Sequence, residues 1–298
     1  MRGKFAILAL ALSLAGVTAY AQDPAPQNQV NAQAQAEAKT PIPNDMYCSG
    51  IITKQAPPTD TFIITGEESE HKVTFQEGNY VYLNKGTSQG VHVGDVFSII
   101  RSVSDPTLYP WFNTQFTLMH ALGTVWQDEG HVKVVVVYPN TSVAQIGHSC
   151  EYMQRGDIAV PFVERPAPSL KSEANFDRFA PPSGKPLAML VAGKSFQVSY
   201  GTYDVVYVNL GAAQGVKVGD YFRIFRYQGQ EAETAYQTKR MAFEVYGYGG
   251  VAKSFNYSNV PREVLGEGIV VRTSENTSAV LVTFALKPLY AGQYVELE

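Results

Sequence analysis

The hydrophobic and polar positions of this chain alternate most regularly in residues 81–101, and the same alternation returns in residues 206–226. The two stretches are offset by 125 residues without a gap, and 13 of their 21 positions are identical. Apolar residues at every second position, many of them β-branched, are typical of strands that bury one face. A repeat of this length also indicates two copies of one structural unit.

Each copy carries glycines where a strand has to reverse. The spacing G-x-x-x-G ends the first strand, because glycine reaches positive φ without steric cost. We predict that the following Val-x-Val is a short strand facing the core, and that the next Gly-Asp pair is a turn whose carboxylate accepts backbone N–H groups. A metal-binding or catalytic role for these aspartates is the alternative. The predicted turn residues are Gly86, Gly90, Gly94 and Asp95, with Gly211, Gly215, Gly219 and Asp220 in the second copy.

The later parts of the two copies match at an offset of 136 residues, since residues 140–142 and 276–278 both read Asn-Thr-Ser. Strands around glycine-rich turns predict a mainly β chain with two tandem small antiparallel barrel-like domains. We place these domains at 45–163 and 187–298. Residues 164–186 contain five prolines and predict a Pro-rich linker that uncouples the two domains.

The first 44 residues are predicted to precede both domains. Arg2 and Lys4 stand before a short apolar run, and Ala19-Tyr20-Ala21 supplies a cleavage site, so residues 1–21 have the pattern of a secretory signal peptide. Residues 22–44 are rich in Gln, Ala, Pro and Asn, which predicts a disordered tether. We therefore expect a periplasmic or secreted protein with no membrane span once the signal peptide is removed.

The chain has two cysteines, Cys48 and Cys150. An even count in an exported protein favours a bridge, and these two stand near the opening and the closing strand of the first domain, so we predict that they form a disulfide. Closing a loop of this length contributes at most about 4.7 kcal/mol in the chain-entropy model. Two buried free thiols are the alternative.

Composition and charge argue against several classes of function. The chain carries 23 basic and 27 acidic residues without a cluster of Lys and Arg, so we expect no nucleic-acid partner. Its five histidines all fall in the first domain without metal-ligand spacing, and we interpret them as dispersed residues that bind no metal or cofactor. The sequence lacks G-x-S-x-G and H-E-x-x-H motifs, so we do not expect an enzyme.

Aromatic residues concentrate in the long insertions at 102–122 and 227–265. Such residues can form carbohydrate platforms or protein-binding anchors, because they combine a large rigid area with a polar edge. They can equally fold back as small cores under the loop. The possible binding surface comprises Tyr109, Trp111, Phe112, Tyr236, Tyr246, Tyr248 and Tyr257.

The second copy reads VYVNLGAAQGVKVGDYFRIFR, followed by GEGIVV, NTSAVLV and AGQYVEL. This segment resembles the C-terminal domain of the flagellar assembly protein T family. The first copy, with YCSGIIT and YMQRGDIAVPF, is more similar to exported proteins of acidobacterial type, some of which carry a LysM domain. The resemblances cover roughly residues 45–298 and imply a bacterial envelope module without catalytic residues.

Taken together, these patterns predict a non-enzymatic exported cell-envelope scaffold or protein-binding module, whose partner is an envelope protein or a cell-wall polymer. The first alternative is a polysaccharide- or peptidoglycan-binding protein that uses the loop aromatics. The second alternative is an enzyme of unknown type.

Overall fold

The computed structural model describes residues 40–104, 109, 111–171, 176–227 and 260–298. The predicted signal peptide and residues 22–39 of the predicted tether lie outside the described residues, as do Tyr236, Tyr246, Tyr248 and Tyr257. The described part is built mainly from antiparallel β-strands and contains a closed barrel, which confirms the mainly β, antiparallel part of the prediction. None of the described helices has the length and apolarity that a membrane span requires.

The first half of the described chain forms a curled antiparallel sheet. Its elements are α1 (Pro43–Tyr47), β1 (Ile51–Thr53), β2 (Ile63–Gly66), β3 (Thr74–Phe75), β4 (Tyr80–Leu83), β5 (Val96–Val103), α2 (Gln115–Leu122), β6 (Thr124–Val137), β7 (Ser142–Ser149), β8 (Met153–Gln154) and β9 (Ile158–Pro161). The order of the strands is β2-β4-β7-β6-β5-β9, while β1 pairs with β6 and β3 pairs with β8. The two edges of the sheet meet at a bridge between Phe62, just before β2, and Ile158 of β9, beside a hydrogen bond from the Ile63 N–H to the Asp157 carbonyl.

The second half forms a closed barrel from the strands β10 (Leu187–Gly193), β11 (Val205–Val208), β12 (Tyr221–Arg226), β13 (Glu263–Thr273), β14 (Ser278–Ala285) and β15 (Tyr294–Leu297). Their order around the barrel is β10-β11-β14-β13-β12-β15. This is the order of the first sheet, with β10 in the place of β2 and β15 in the place of β9. The register also breaks at matching places, between Val134 and Val136 in β6 and between Val270 and Arg272 in β13.

The G-x-x-x-G segments form the same reversal in both halves. Gly90 and Gly215 adopt left-handed φ values of 82° and 85°, which an L side chain enters only at a steric cost. A glutamine just before each of them, Gln89 or Gln214, accepts a hydrogen bond from the N–H of the glycine that opens the turn. This glutamine is identical in the two copies and is part of the turn, which the sequence interpretation missed.

The prediction that Val-x-Val is a short strand facing the core is wrong. Val91 is 4% exposed and packs in the core, whereas Val93 is 67% exposed. Val216 and Val218 divide in the same way between the core and the surface. Since residues 91–95 and 216–220 form turns instead of a pleated strand, residues two positions apart do not share a face.

The two halves share a hydrophobic cluster, and the described residues belong to one compact unit. The cluster joins α1, β1 and α2 of the first half to the outer face of the second barrel. The linker also contacts both halves, because the N–H groups of Arg165 and Lys171 donate to the hydroxyls of Tyr47 and Tyr221. The linker therefore does not uncouple the two halves as the sequence interpretation expected.

This contact explains why the strands of the two copies differ in pattern. In β11 all four residues are buried, because one face lines the barrel interior and the other packs under the first half. The equivalent strand β4 alternates, with Val81 and Leu83 buried while Tyr80 and Tyr82 are partly exposed. A strand covered on both faces carries a continuous apolar run, whereas a strand covered on one face alternates.

Replacing Gly215 by alanine should destabilise the protein by about 1–2 kcal/mol, because its left-handed φ penalises a Cβ. No atom beyond this residue and its two chain neighbours lies within 4 Å of that Cβ, so the loss of stability should come from backbone strain and not from a steric clash with neighbouring residues. Gly201→Ala is the matched control, since its surroundings are also open and its φ is outside the left-handed region. Chemical denaturation of Gly215→Ala should show a single transition, with a midpoint at a lower denaturant concentration than that of Gly201→Ala. Equal stability of the two variants would contradict the turn assignment.

Candidate functional site in the cleft between the two halves

Two aromatic residues of the first insertion pack into the protein interior. Tyr109 and Phe112 are 4% and 2% exposed and belong to the hydrophobic cluster of the second barrel. The Tyr109 hydroxyl donates to the Gln197 carbonyl at 3.1 Å, and Trp111 Nε1 donates to the Ala291 carbonyl at 3.3 Å. Tyr109 and Phe112 are therefore core residues and not a binding surface, because both pack against the second half.

Helix α2 follows these aromatics and was not predicted from the sequence. Its first residue, Gln115, is buried and donates from Nε2 to the Val191 carbonyl at 2.7 Å. Met119 and Leu122, one and two turns later, pack in the shared cluster. The helix thus anchors the first insertion on the second barrel through one satisfied polar contact and an apolar face.

The two turn aspartates serve local structure. Asp95 Oδ2 accepts the His92 N–H at 2.8 Å, and Asp220 Oδ2 accepts the Lys217 N–H at the same distance. Both bonds span three residues and recur at equivalent positions. This geometry agrees with the turn chemistry that the sequence predicted for these carboxylates.

A cleft with a volume of about 480 Å³ lies where the outer face of β5, β6 and β9 meets the hairpin between β13 and β14. Its apolar wall includes Ile100, Trp126, Val160 and Val163. The segment 55–58, directly after β1, lines it as well. The cleft therefore exists because the hairpin of the second barrel is held against the first sheet.

Two arginines converge on one buried carboxylate in this cleft. Arg272 Nη1 lies 3.2 Å from each oxygen of Asp128, and Arg165 Nη2 lies 3.8 Å from Asp128 Oδ2. The Gly50 N–H donates to the same Oδ2 at 2.9 Å. Burial lowers the pKa of Arg165, and the charge of Arg272 lowers it further. Two positive charges are thus held close together, with the buried carboxylate of Asp128 between them.

A guanidinium group presents several N–H donors in a rigid plane and suits carboxylate or phosphate groups. Glu275 also lines the cleft, but it is exposed to solvent and screens the arginines less effectively than a buried group would. The arrangement can therefore bind an anionic group that is joined to an apolar one. Asp128, Arg165 and Arg272 were not among the predicted site residues.

Comparison of the two copies could have identified part of this site. At the offset of 136 residues, Asp128 corresponds to Val264 and Arg272 corresponds to Val136. A charged residue in one copy where the other copy has valine is not needed for the shared fold. Such a difference therefore indicates a role that is specific to that copy. Glu129, which corresponds to Leu265, carries the same signal.

Glu129 lies inside the first sheet beside an ion pair. Arg101 donates from Nε and Nη2 to the two oxygens of Asp157, each at 2.7 Å, and its Nη1 lies 3.5 Å from Glu129 Oε1. Burial raises the pKa of Glu129 to about 8, against the opposing charge of Arg101. The residue is completely buried, so its carboxyl group does not face a substrate.

The structure joins Cys48 and Cys150 in a disulfide, with 5.4 Å between their Cα atoms. His148 Nε2 lies 3.4 Å from Cys48 Sγ, and the rings of His131 and His148 are 5.7 Å apart. These two histidines are therefore not dispersed as the sequence suggested. Cross-strand pairing of β6 with β7 places them opposite each other.

No protein-family model matches the chain, and no curated protein matches it significantly. The resemblance to the flagellar assembly protein T family and to exported acidobacterial-type proteins therefore stays a prediction.

Phe112→Ala should destabilise the whole described unit by roughly 3–5 kcal/mol, because it removes a buried ring from the core of the second barrel. Phe179→Ala is the control, since Phe179 is 61% exposed. Thermal unfolding of the two variants, followed by near-ultraviolet circular dichroism, provides the measurement. A Phe112→Ala protein that melts like the control would mean that this ring does not join the halves.

Glu129→Gln should change how stability depends on pH. The folded chain keeps the Glu129 proton up to about pH 8, while the unfolded chain loses it near pH 4.5. The free energy of unfolding that this proton contributes is therefore fully present below pH 4.5 and is lost as pH rises to about 8. The variant should therefore gain stability relative to the wild type across this range, by at most about 1.4 kcal/mol per pH unit.

Denaturation midpoints measured across this pH range in both proteins test the effect. Burial, followed by the nearby His148 and Arg165, lowers the pKa of His131 to about 4. The titration of His131 therefore changes stability with pH in the direction opposite to that of Glu129. Because it does so in both proteins, it cancels when the stability of the wild type is subtracted from that of the variant. Glu77→Gln, at an exposed carboxyl, is the control. A constant difference between Glu129→Gln and the wild type would refute the buried-proton account.

Proposed function

We propose that this protein is a non-enzymatic binding module of the cell envelope, which holds another envelope component at the cleft between its two halves. The observation that carries the proposal is the pair Arg165 and Arg272, which share the buried Asp128 beside an apolar wall. The envelope location rests on the predicted signal peptide. The cleft supplies a specific surface without requiring any catalytic group.

The chemistry of the cleft favours a partner that presents an anionic group next to apolar side chains. Arg272 keeps 30% of its side chain exposed and can turn donors toward a ligand while it still contacts Asp128. Trp126 and Val163 can cover an apolar group alongside. A protein segment with a carboxylate among apolar residues has this composition, and the proposal therefore favours a protein partner.

The two alternatives have less support in the described residues. The polysaccharide-binding alternative rests on the loop aromatics, and of those that the structure describes, Tyr109 and Phe112 are buried and Trp111 packs against the same cluster. For an enzyme, Glu129 offers a carboxyl group whose pKa burial raises to about 8, but this carboxyl is buried inside the sheet. Neither observation supplies a surface comparable to the cleft.

Arg272→Ala should reduce the recovery of a cross-linked envelope partner at least several-fold, because arginine is enriched among the interface hot spots, whose truncation costs about 2 kcal/mol or more. Arg155→Ala is the matched control, since Arg155 is an exposed arginine of the first half outside the cleft lining. Recovery after mild cross-linking in cells, quantified by mass spectrometry, provides the measurement.

A second pair of variants tests the sign of the charge. Val163 is 69% exposed at the cleft, so Val163→Glu and Val163→Gln should both fold. An anionic partner should be lost with the glutamate and kept with the glutamine. Recovery of the same partner from all four variants would refute binding at the cleft.

A further inference from the structure

We propose that Cys48, Cys150 and His148 form a zinc site when the disulfide is reduced. The ligand atoms of these three residues all lie within 4.8 Å of one another. This inference does not depend on the cleft or on the function proposed for it. It concerns the first half alone, at the junction of α1 with the end of β7.

The separation of the ligand atoms fits zinc coordination. Zinc bonds of about 2.0 Å to nitrogen and about 2.3 Å to sulfur, at tetrahedral angles, separate the two ligand atoms by roughly 3.5 Å. His148 Nε2 lies 3.4 Å from Cys48 Sγ. The imidazole is therefore already at coordination distance from one sulfur, and opening of the disulfide allows the two sulfurs to move apart around an ion.

The backbone around the site is held by contacts that do not involve sulfur. The Cys48 N–H donates to the Asn44 carbonyl at 3.0 Å, and the Cys150 N–H donates to the Glu129 carbonyl at 2.9 Å. His148 lies in β7 opposite His131 of β6. Because these bonds survive reduction, the three ligands should stay close together in the reduced chain.

The surroundings suit a soft metal ion with limited access to solvent. Cys48 is buried, whereas His148 and Cys150 are partly exposed and leave a path by which an ion can enter. The rings of Tyr47 and Phe162 pack around His131 beside the site. Two thiolates and one imidazole bind zinc with one coordination position left for water.

Zinc would take over the role of the covalent cross-link. The disulfide ties Cys48, directly after α1, to a residue 102 positions away, and Met46 of α1 packs in the cluster shared with the second barrel. A metal held by both sulfurs restrains the same loop. The oxidised chain cannot offer these thiolates, so the disulfide and the zinc site exclude each other.

The reaction balances with a phosphine as reductant. The phosphine takes an oxygen atom from water and becomes a phosphine oxide, while the two sulfurs gain two electrons and two protons and become thiols. Zinc then displaces the two thiol protons and binds both thiolates. A phosphine is preferred to a dithiol because a dithiol would compete for the metal.

The experiment measures zinc bound per chain in the phosphine-reduced mature protein, by competition with a chromophoric chelator, together with the melting temperature. We expect one zinc ion per reduced chain, no zinc at this site in the oxidised chain, and partial recovery of the melting temperature lost on reduction. His148→Ala should weaken zinc binding at least about ten-fold, whereas His92→Ala, at a histidine whose side chain is 79% exposed, should not.

The oxidised His148→Ala protein shows whether that variant folds, because its disulfide is intact. The inference is wrong if the folded reduced wild type binds no zinc. It is equally wrong if His148→Ala binds zinc as tightly as the wild type, or if zinc binds only a chain without native circular dichroism.

Discussion

The outer face of the second barrel is apolar and lies buried under α1, β1 and α2 of the first half. Hydrophobic burial of this kind scales with the area removed from water and is the largest favourable contribution to folding. Much of the rest of the structure depends on it. It places the first insertion against the core of the second barrel, and it brings the β13–β14 hairpin to the edge of the first sheet.

Polar contacts then set one register for this docking. The Ile52 carbonyl accepts hydrogen bonds from the hydroxyls of Ser274 and Thr277, and the Tyr207 hydroxyl donates to the Ser49 carbonyl. A buried polar group that lost its partner would be costly, so these contacts disfavour shifted arrangements of the two halves. The ion pair between Arg272 and Asp128 belongs to the same seam, which is why the cleft combines residues of both halves.

The first half carries chemical groups that its repeat partner does not. Glu129 is buried where the second copy has Leu265, and a buried carboxyl costs stability once it ionises. The disulfide lies close to this residue, because the Cys150 N–H donates to the Glu129 carbonyl. A covalent cross-link over a long loop stabilises the folded chain and can offset such a cost.

The sequence alone determined the mainly β character, the repeat, the turn glycines and the cysteine pair, because each of these depends on neighbours along the chain or on a count of residues. It could not determine that Tyr109 and Phe112 are core residues, since an exposed and a buried aromatic look alike in a loop. The cleft could not be predicted from the sequence either. Asp128, Arg165 and Arg272 are far apart in sequence, and only the docking of the two halves, decided by burial of an apolar face, brings their charges together.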